Sequence, residues 1–322
     1  MERNPIPFLT NSNEPWVKYN TLLHLQDRKV DDPEVKEAKK ELLSHPLILS
    51  LIQEAQKWPS YPLTRHNDAK HSIHKIALLA DLGFKFGDPG INEIIKAILS
   101  HQSADGAFLT ELLIPKVFGG SDKPEFSWML CDMPSLLHAL LSFGLTENRQ
   151  VSLAVKLLKS LVRENGWPCV SSIPKLRGPG KKEDHCPYAN LVSLKALSKG
   201  AQLGNSDVCR KGIEAQLNHW TNRKGRKKYL FGIGTNFQKI KYPNIWYDIV
   251  HVVDVLSCFK YARKDERFNE MLAIVNSKQQ ENSGFIPESI WRAYKDWDFG
   301  QKKIPSPWMT YKIALINKRC NS

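Results

Sequence analysis

Apolar residues recur at helical spacing along most of the chain, and strictly alternating, strand-like stretches are nearly absent. Amphipathic helices are predicted for INEIIKAILSHQ, NRQVSLAVKLLKSLV, DVCRKGIEAQLNHW and RFNEMLAIVNSK. The run from Ile249 to Leu256 is instead apolar almost all round, so a helix there must be buried on most sides. The pattern predicts an all-α protein with apolar inner helices and amphipathic outer ones.

Glycine-containing turns recur at a nearly constant spacing. The segments HQSADGAF, VRENGWPC, TNRKGRKKYLF and QQENSGFIPE place Gly106, Gly166, Gly225 and Gly284 at separations of 60, 59 and 59 residues. After a long loop, an apolar run follows each turn or stands in phase with it, and these runs begin CDMP, DHCP, WYDI and PSPW. Three of them carry a proline at the helix start, where its missing N–H does no harm. WPSYPLTRHND leading into AKHSIHKIALLADLG gives an earlier, fifth copy.

Such units are expected to stack in two layers, because each apolar helix can be buried only against its neighbours. We predict one α/α toroid, a two-layer helical barrel of about five repeats of about 60 residues, as a single domain over residues 1–322. Residues 1–60 would form helices that pack on the ring or begin it, and residues 61–318 would form the repeats. HEAT or armadillo repeats are the main alternative, but they are shorter, at about 40 to 47 residues.

The pattern from Gln102 to Phe108, Gln-x-x-x-Gly-x-Phe, is echoed by ENGW and ENSGF. It resembles the QW-type repeat of squalene and terpenoid cyclases and of protein prenyltransferase β-subunits. The resemblance covers roughly residues 60 to 318 and implies the toroid fold. Class II cyclases of this fold protonate an alkene with a DxDD motif, and no such motif stands at a repeat junction here. Alkene protonation of that type is therefore disfavoured.

The prenyltransferase branch of the resemblance implies a zinc ion, held by an Asp-x-Cys pair before one inner helix and a histidine before the next. Asp184 and Cys186 have this spacing, but Asp248 aligns best with the histidine, and His251 lies one turn further on. Zinc accepts all three ligand types, so Asp184 and Cys186 are candidate metal ligands. A complete protein prenyltransferase also has a second subunit, so the resemblance implies a partner chain.

In a toroid, the long loops and the inner-helix N-termini meet on one face, where helix N-termini attract anions. The unusual polar residues of the chain fall at these positions. Candidates for catalysis are Asp132, Tyr247, Asp248 and His251. Candidates for substrate binding are Arg65, His71, Tyr188, Trp246, Lys302 and Trp308. The alternative for the acids is helix capping, and for Cys186 it is the role of a small buried residue.

The chain carries a formal net charge of +13 over 322 residues, and residues 221–242 hold seven Lys and Arg without an acid. Such a segment favours an anionic partner, although a solvated basic loop is the alternative. No zinc finger, RNP motif or helix-turn-helix points to nucleic acid specifically. Six scattered cysteines, the lack of a signal-peptide pattern and the lack of an apolar run near 20 residues predict a cytoplasmic protein without a membrane span.

These features favour an enzyme acting in a central cavity on a hydrophobic substrate, isoprenoid or otherwise anionic at one end. Aromatic side chains would hold the apolar part, while basic loops and helix N-termini would hold the anion. Two alternatives stay open. One is a carbohydrate-active toroid of the polysaccharide-lyase kind, and the other is a non-catalytic toroid that binds a ligand or a partner protein.

Overall fold

A computed structural model describes residues 4–178, 180–200, 206–225 and 231–321. The chain divides into two compact units. Ile52–Gly234 form what we call the central unit, and Met1–Leu51 together with Thr235–Ser322 form the terminal unit. Within the described residues, no helix is both long and apolar enough to cross a membrane.

Most of the described residues are helical, which confirms the all-α prediction apart from one two-stranded sheet. In chain order the elements are α1 (Ile6–Thr10), α2 (Pro15–His24), α3 (Pro33–Ser44), α4 (Pro46–Gln56), α5 (Ser72–Asp81), α6 (Ile91–Ser100), β1 (Thr110–Leu113), β2 (Pro124–Ser127), α7 (Met133–Phe143), α8 (Arg149–Ser160), α9 (Pro187–Leu197), α10 (Asp207–Thr221), α11 (Thr235–Gln238), α12 (Ile249–Leu256), α13 (Lys260–Arg263), α14 (Glu266–Asn276) and α15 (Pro307–Cys320). Short 3-10 turns cover Lys116–Phe118, Arg292–Tyr294 and Asp298–Gly300.

The central unit has an inner and an outer layer of helices. The apolar helices α5, α7 and α9 pack side by side in that order, while α8 packs on α7 and α10 packs on α9. Every residue of α9 is buried. In α8 only Val151, Ala154 and Leu158 are buried, at the spacing of one helix face. The predicted division into apolar inner and amphipathic outer helices therefore holds in this unit.

The terminal unit has α12 at its centre, and all residues of α12 are buried, as its sequence predicts. Helices α14 and α15 pack on α12, and α1 and α2 pack on α15. Asp254, inside α12, lies 2.8 Å from Lys312 Nζ and 3.0 Å from Arg319 Nη1. A buried carboxylate needs such partners, and here both come from α15.

Two of the recurring turns have the same internal bonding. Gln102 Nε2 donates to Gly106 O at 2.8 Å, and Gln279 Nε2 donates to Ser283 O at 3.2 Å. In both turns the glutamine forms an antiparallel bridge with the phenylalanine six positions on. Gly106 has a φ of +98°, a region that favours glycine. The third turn continues into residues 226–230, which lie outside the described part of the chain.

The two short strands were not predicted. Strand β1 pairs antiparallel with β2, from Thr110 opposite Ser127 to Leu113 opposite Pro124. Leu112 packs in a small apolar cluster with Leu63 and Met129. Strands of four residues carry too little alternation to stand out in a mostly helical sequence.

Asn190 ties the Gly166 turn to the start of α9. Its Oδ1 accepts from Trp167 N at 2.9 Å, and its Nδ2 donates to the carbonyl oxygens of Trp167 and Cys186, both at 2.8 Å. A Cβ atom at residue 166 would lie 2.4 Å from Asn190 Oδ1, and φ there is +99°. Close approach and backbone conformation both require the glycine of the ENGW segment.

We expect Asn190→Ala to lower the free energy of unfolding by about 2 to 4 kcal/mol, because Trp167 N loses its partner and the buried carbonyl oxygens of Trp167 and Cys186 each lose one of two. Asn165→Ala is the matched control, since Asn165 also donates to a backbone carbonyl, Glu183 O at 2.8 Å, but is exposed. Asn165→Ala should lower the free energy of unfolding by less than about 1 kcal/mol. Urea denaturation measures both, and equal costs would contradict this assignment.

Candidate functional site

The central unit brings a buried carboxylate and a partly exposed imidazole together ahead of α5 and α7. His66 Nδ1 lies 2.9 Å and 3.0 Å from the two carboxylate oxygens of Asp132. The Asp132 side chain is 3% exposed and that of His66 is 23% exposed. Although Asp132 occupies the N-cap position of α7, its side chain caps no N–H of that helix. Its carboxylate therefore bonds to His66 instead of capping the helix.

The carboxylate fixes the protonation of the His66 ring. Because Nδ1 faces both oxygens of Asp132, it carries a proton, which leaves Nε2 as the ring nitrogen that can meet a substrate. Burial lowers the pKa of His66, but the charge and hydrogen bond of Asp132 and the charge of Cys186 outweigh it, so the pKa is raised from 6.5. His66 therefore carries more positive charge at neutral pH than an ordinary histidine does.

Two neighbouring histidines, His71 and His74, form hydrogen bonds with backbone groups. His71 caps α5 by accepting from Ile73 N at 3.3 Å, and its Nε2 lies 2.9 Å from Tyr61 O. His74 Nε2 lies 2.8 Å from His66 O, which holds the His66 segment in place. Burial lowers the pKa of both, to about 4 for His74. Both rings are therefore neutral, and both nitrogens of His71 are engaged with the backbone.

The two metal candidates have other partners. Cys186 Sγ caps α9 by accepting from Ala189 N at 3.5 Å, and Asp184 Oδ2 accepts from Lys181 N at 3.3 Å. Over the ranges that the structure describes, no three His, Cys, Asp or Glu side chains form a group that could hold a metal ion. The zinc site implied by the sequence resemblance does not fit these residues.

In the terminal unit, Asp248 combines complete burial with a nearby cation. Its Oδ1 caps α12 by accepting from His251 N at 3.0 Å. Its Oδ2 is buried without a hydrogen bond among the described residues and lies 3.9 Å from Lys241 Nζ. Burial raises the pKa of Asp248 to about 6, against the lowering effects of Lys241 and the helix N–H groups. Such a carboxyl can accept or donate a proton close to neutral pH.

Three further side chains lie around Asp248, those of Lys241, His251 and Tyr247. Lys241 Nζ lies 4.6 Å from the centroid of the Trp291 ring, within the range of a cation–π contact. His251 Nδ1 lies 2.8 Å from Trp246 O and therefore carries a proton. Tyr247 is 6% exposed, and its ring centroid lies 5.3 Å from that of Phe237. The three predicted catalytic residues of this segment thus surround the start of one helix.

The other predicted substrate-binding residues differ widely in exposure. Arg65, next to His66, and Lys302 are exposed, and Trp246 is half-buried. Tyr188 is buried and stacks on Phe231, with 6.3 Å between ring centroids. Trp308 is fully buried and stacks on Tyr311 at 4.8 Å. Their part in substrate binding stays a prediction.

The sequence prediction included His71 but neither His66 nor Lys241. His66 and His71 stand five positions apart in the same loop, and only the fold places His66, rather than His71, against Asp132. Nothing in the sequence separates Lys241 from the other lysines of its basic segment.

No protein-family model matches the chain, and the curated proteins contain no significant match. Among solved structures, a protein from Actinoplanes is similar at 12% identity and a TM-score of 0.44, over 96% of this chain and 90% of that one. The type II terpene cyclase MstE from Scytonema, in complex with its substrate geranylgeranyl dihydroxybenzoate, is similar at 11% identity and a TM-score of 0.42, over 95% and 86%.

We expect Asp132→Asn to lower the pKa of His66, because the charge that raises it is removed. Proton-detected NMR titration of the histidine rings measures this shift. Asp68→Asn is the control, since Asp68 accepts from Tyr61 Oη at 2.7 Å and is not among the groups that shift the pKa of His66. An unchanged His66 pKa in Asp132→Asn, or an equal shift in Asp68→Asn, would contradict the pairing.

We expect Asp248→Asn to change the pH dependence of stability. The folded-state pKa of about 6 lies above the ordinary 3.8, so the folded protein binds the proton more tightly and loses stability as pH rises between these values. Between pH 3.8 and about 6, the free energy of unfolding of the variant should therefore rise by on the order of 3 kcal/mol relative to that of wild type.

Asp265→Asn is the control of opposite sign. The hydrogen bond from Arg267 lowers the pKa of Asp265, so its contribution to stability is present above the ordinary value and is lost as pH falls. Denaturant titrations at several pH values measure both variants. A constant difference between wild type and Asp248→Asn would show that Asp248 has an ordinary pKa.

Proposed function

We propose that the chain is an enzyme of the terpene cyclase and prenyltransferase-like class, acting on a substrate with an apolar body and an anionic head group. The observation that carries the proposal is the pairing of buried Asp132 with partly exposed His66. A buried carboxylate behind a more exposed imidazole is the arrangement by which enzymes orient a general acid or base.

His66 would act at the head group. With Nδ1 held by Asp132, Nε2 of the charged ring can donate to an anionic oxygen. If the carbon–oxygen bond to a diphosphate breaks, the bonding electrons go to the leaving oxygen, and His66 can neutralise the developing charge or transfer its proton there. Exposed Arg65, on the same segment, would add a second positive charge.

This chemistry differs from alkene protonation. An imidazolium is a weak acid, suited to proton transfer at oxygen or nitrogen rather than at a carbon–carbon double bond. The lack of a DxDD motif agrees with this division. We therefore propose reaction at a heteroatom head group as the first chemical step.

Asp248 would provide a second proton-transfer group. Its Oδ2, buried beside Lys241, can hold a proton below about pH 6 and release it above, given the pKa raised to about 6 by burial. His251 and Tyr247 would then serve as positioning residues around the start of α12. Trp246, Tyr188, Trp308 and Lys302 remain proposed contacts to the apolar body and the head group.

The finer architectural expectations belong to the same proposal. We propose a single-domain α/α toroid of about five repeats, supported by equal bonding in the Gln102 and Gln279 turns and by the inner order α5, α7, α9. A cytoplasmic location is proposed from the scattered cysteines. A partner subunit is proposed only by the resemblance to prenyltransferase β-subunits.

Thermal-shift measurements with a prenyl diphosphate, free diphosphate and a uronic-acid oligosaccharide test the substrate class. We expect the prenyl diphosphate to stabilise the protein most, because it supplies both apolar and anionic contacts. Stabilisation should fall in His66→Gln and persist in His101→Gln, a matched change at a half-buried histidine whose Nδ1 contacts Ala97 O at 2.9 Å.

Three results would count against the proposal. Stabilisation by the oligosaccharide alone would favour the carbohydrate-active alternative. Stabilisation by none of the three ligands would leave the assigned substrate class without support. Equal stabilisation of wild type and His66→Gln by the prenyl diphosphate would show that the head group binds elsewhere.

A further inference from the structure

A cavity of about 230 Å³ lies in the terminal unit, beside the turn that follows α14. Its polar lining consists of the carboxamides of Asn276, Gln279, Asn317 and Asn321 and the hydroxyl of Thr310. None of the described residues that line it carries a charge. Carboxamides both donate and accept hydrogen bonds, so this lining suits an uncharged ligand that does the same.

The first recurring turn shows what the glutamine of such a turn binds outside the turn. Gln102 Nε2 donates within the turn to Gly106 O at 2.8 Å and outside it to Gln150 O at 2.7 Å. The second acceptor is a peptide carbonyl in the first turn of α8. Both N–H groups of Gln102 are therefore paired, one of them with a peptide group of another helix.

The corresponding glutamine of the fourth turn keeps only the bond within the turn. Gln279 Nε2 donates to Ser283 O at 3.2 Å, and the side chain forms no other hydrogen bond in the described part of the chain. Because Gln279 lines the cavity, its second N–H and its Oε1 can pair with a ligand there. By comparison with Gln102, the expected partner of that N–H is a peptide carbonyl.

Asn276 and Asn317 add further donors and acceptors to the cavity. Asn276 Nδ2 donates to Asn317 Oδ1 at 3.0 Å, and Asn317 Nδ2 donates to Asn276 Oδ1 at 3.1 Å. This reciprocal pair joins the last residue of α14 to α15 and uses one N–H of each carboxamide. Each carboxamide keeps a second N–H and a second oxygen lone pair, which can bind an amide group in the same way.

Hydrogen bonds fix the apolar side of the cavity. Thr310 Oγ1 accepts from Phe285 N at 3.0 Å and donates to Ser306 O at 2.8 Å, while Ser306 N donates to Phe285 O at 2.9 Å. These bonds hold the fourth turn against the start of α15, so that Phe285 and Ala314 line the cavity from fixed positions. A ligand therefore meets carboxamides together with a small apolar surface.

We propose that this cavity binds a neutral, peptide-like amide group, whose carbonyl accepts from Gln279 and whose N–H donates to a carboxamide oxygen of the lining. At about 230 Å³ it is smaller than the about 300 to 1,000 Å³ of pockets for drug-sized ligands, so it suits one or two amide groups. A peptide segment and a small carboxamide compound share this chemistry. The proposal does not rest on the proposed enzymatic function.

NMR spectra of the intact chain, with asparagine and glutamine side chains labelled with ¹⁵N, test the proposal. N-acetylglycine N-methylamide, a neutral diamide, should shift the side-chain amide signals of Gln279 and Asn317 in a saturable way. The signal of Gln102 is the internal control and should stay unchanged, because both of its N–H groups are already paired. No saturable shift at Gln279, or an equal shift at Gln102, would overturn the proposal. This measurement needs no substitution.

Two further probes define the charge and the source of the ligand. N-acetylglycine carries a carboxylate and should bind at least about tenfold more weakly than the diamide, because no cationic side chain is among the described lining residues. Equal binding of both would overturn the assignment of a neutral ligand. Propionamide has a carboxamide but no peptide bond. Binding weaker than that of the diamide would support a peptide segment as the source, and tighter binding would support a small carboxamide compound.

Gln279→Glu and Gln280→Glu form a matched pair of variants. Gln279→Glu removes both N–H donors with little change in shape and should weaken binding of the diamide at least about tenfold. Gln280 Nε2 donates to Lys278 O at 3.0 Å, and Gln280 does not line this cavity, so Gln280→Glu should bind the diamide as wild type does. Equal affinities of the two variants would contradict the role assigned to Gln279.

Discussion

A carboxylate buried among helices must be paired, and this requirement constrains how the inner helices of the central unit pack. In the central unit, Asp81 of α5 lies 3.1 Å from His138 Nε2 on α7 and 2.8 Å from Lys195 Nζ on α9. Burial and Lys195 lower the pKa of His138 to about 4, so the ion pair is that of Asp81 and Lys195. One carboxylate thus ties three inner helices together, and the positions of their N-termini, where the candidate site lies, follow from this packing.

Partners also decide the chemical state of each histidine near the site. His71 and His74 bond to backbone groups and stay neutral, because burial dominates where no carboxylate is in contact. His66 faces Asp132 directly, and its pKa is raised instead of lowered. The same residue type therefore serves as a helix cap, a backbone support and a candidate acid. The arrangement of carbonyls and carboxylates selects among these roles.

Periodicity predicted the helices and their division into layers, because an apolar stripe or an all-apolar run has only one way to be buried. Gly166 illustrates the limit, since the sequence marked the turn but could not show that Asn190 fills the space beside it. Asp132 was predicted as a catalytic residue, yet its partner His66 precedes it by 66 positions, and such pairings depend on tertiary packing.

A crystal structure of the protein with a bound prenyl diphosphate would test the central claim most directly. We predict that a head-group oxygen lies within hydrogen-bonding distance of His66 Nε2, while Asp132 keeps its contact with Nδ1. A diphosphate bound away from His66, with the imidazole turned from the ligand, would contradict the assignment of His66 and Asp132 as the acid–base pair.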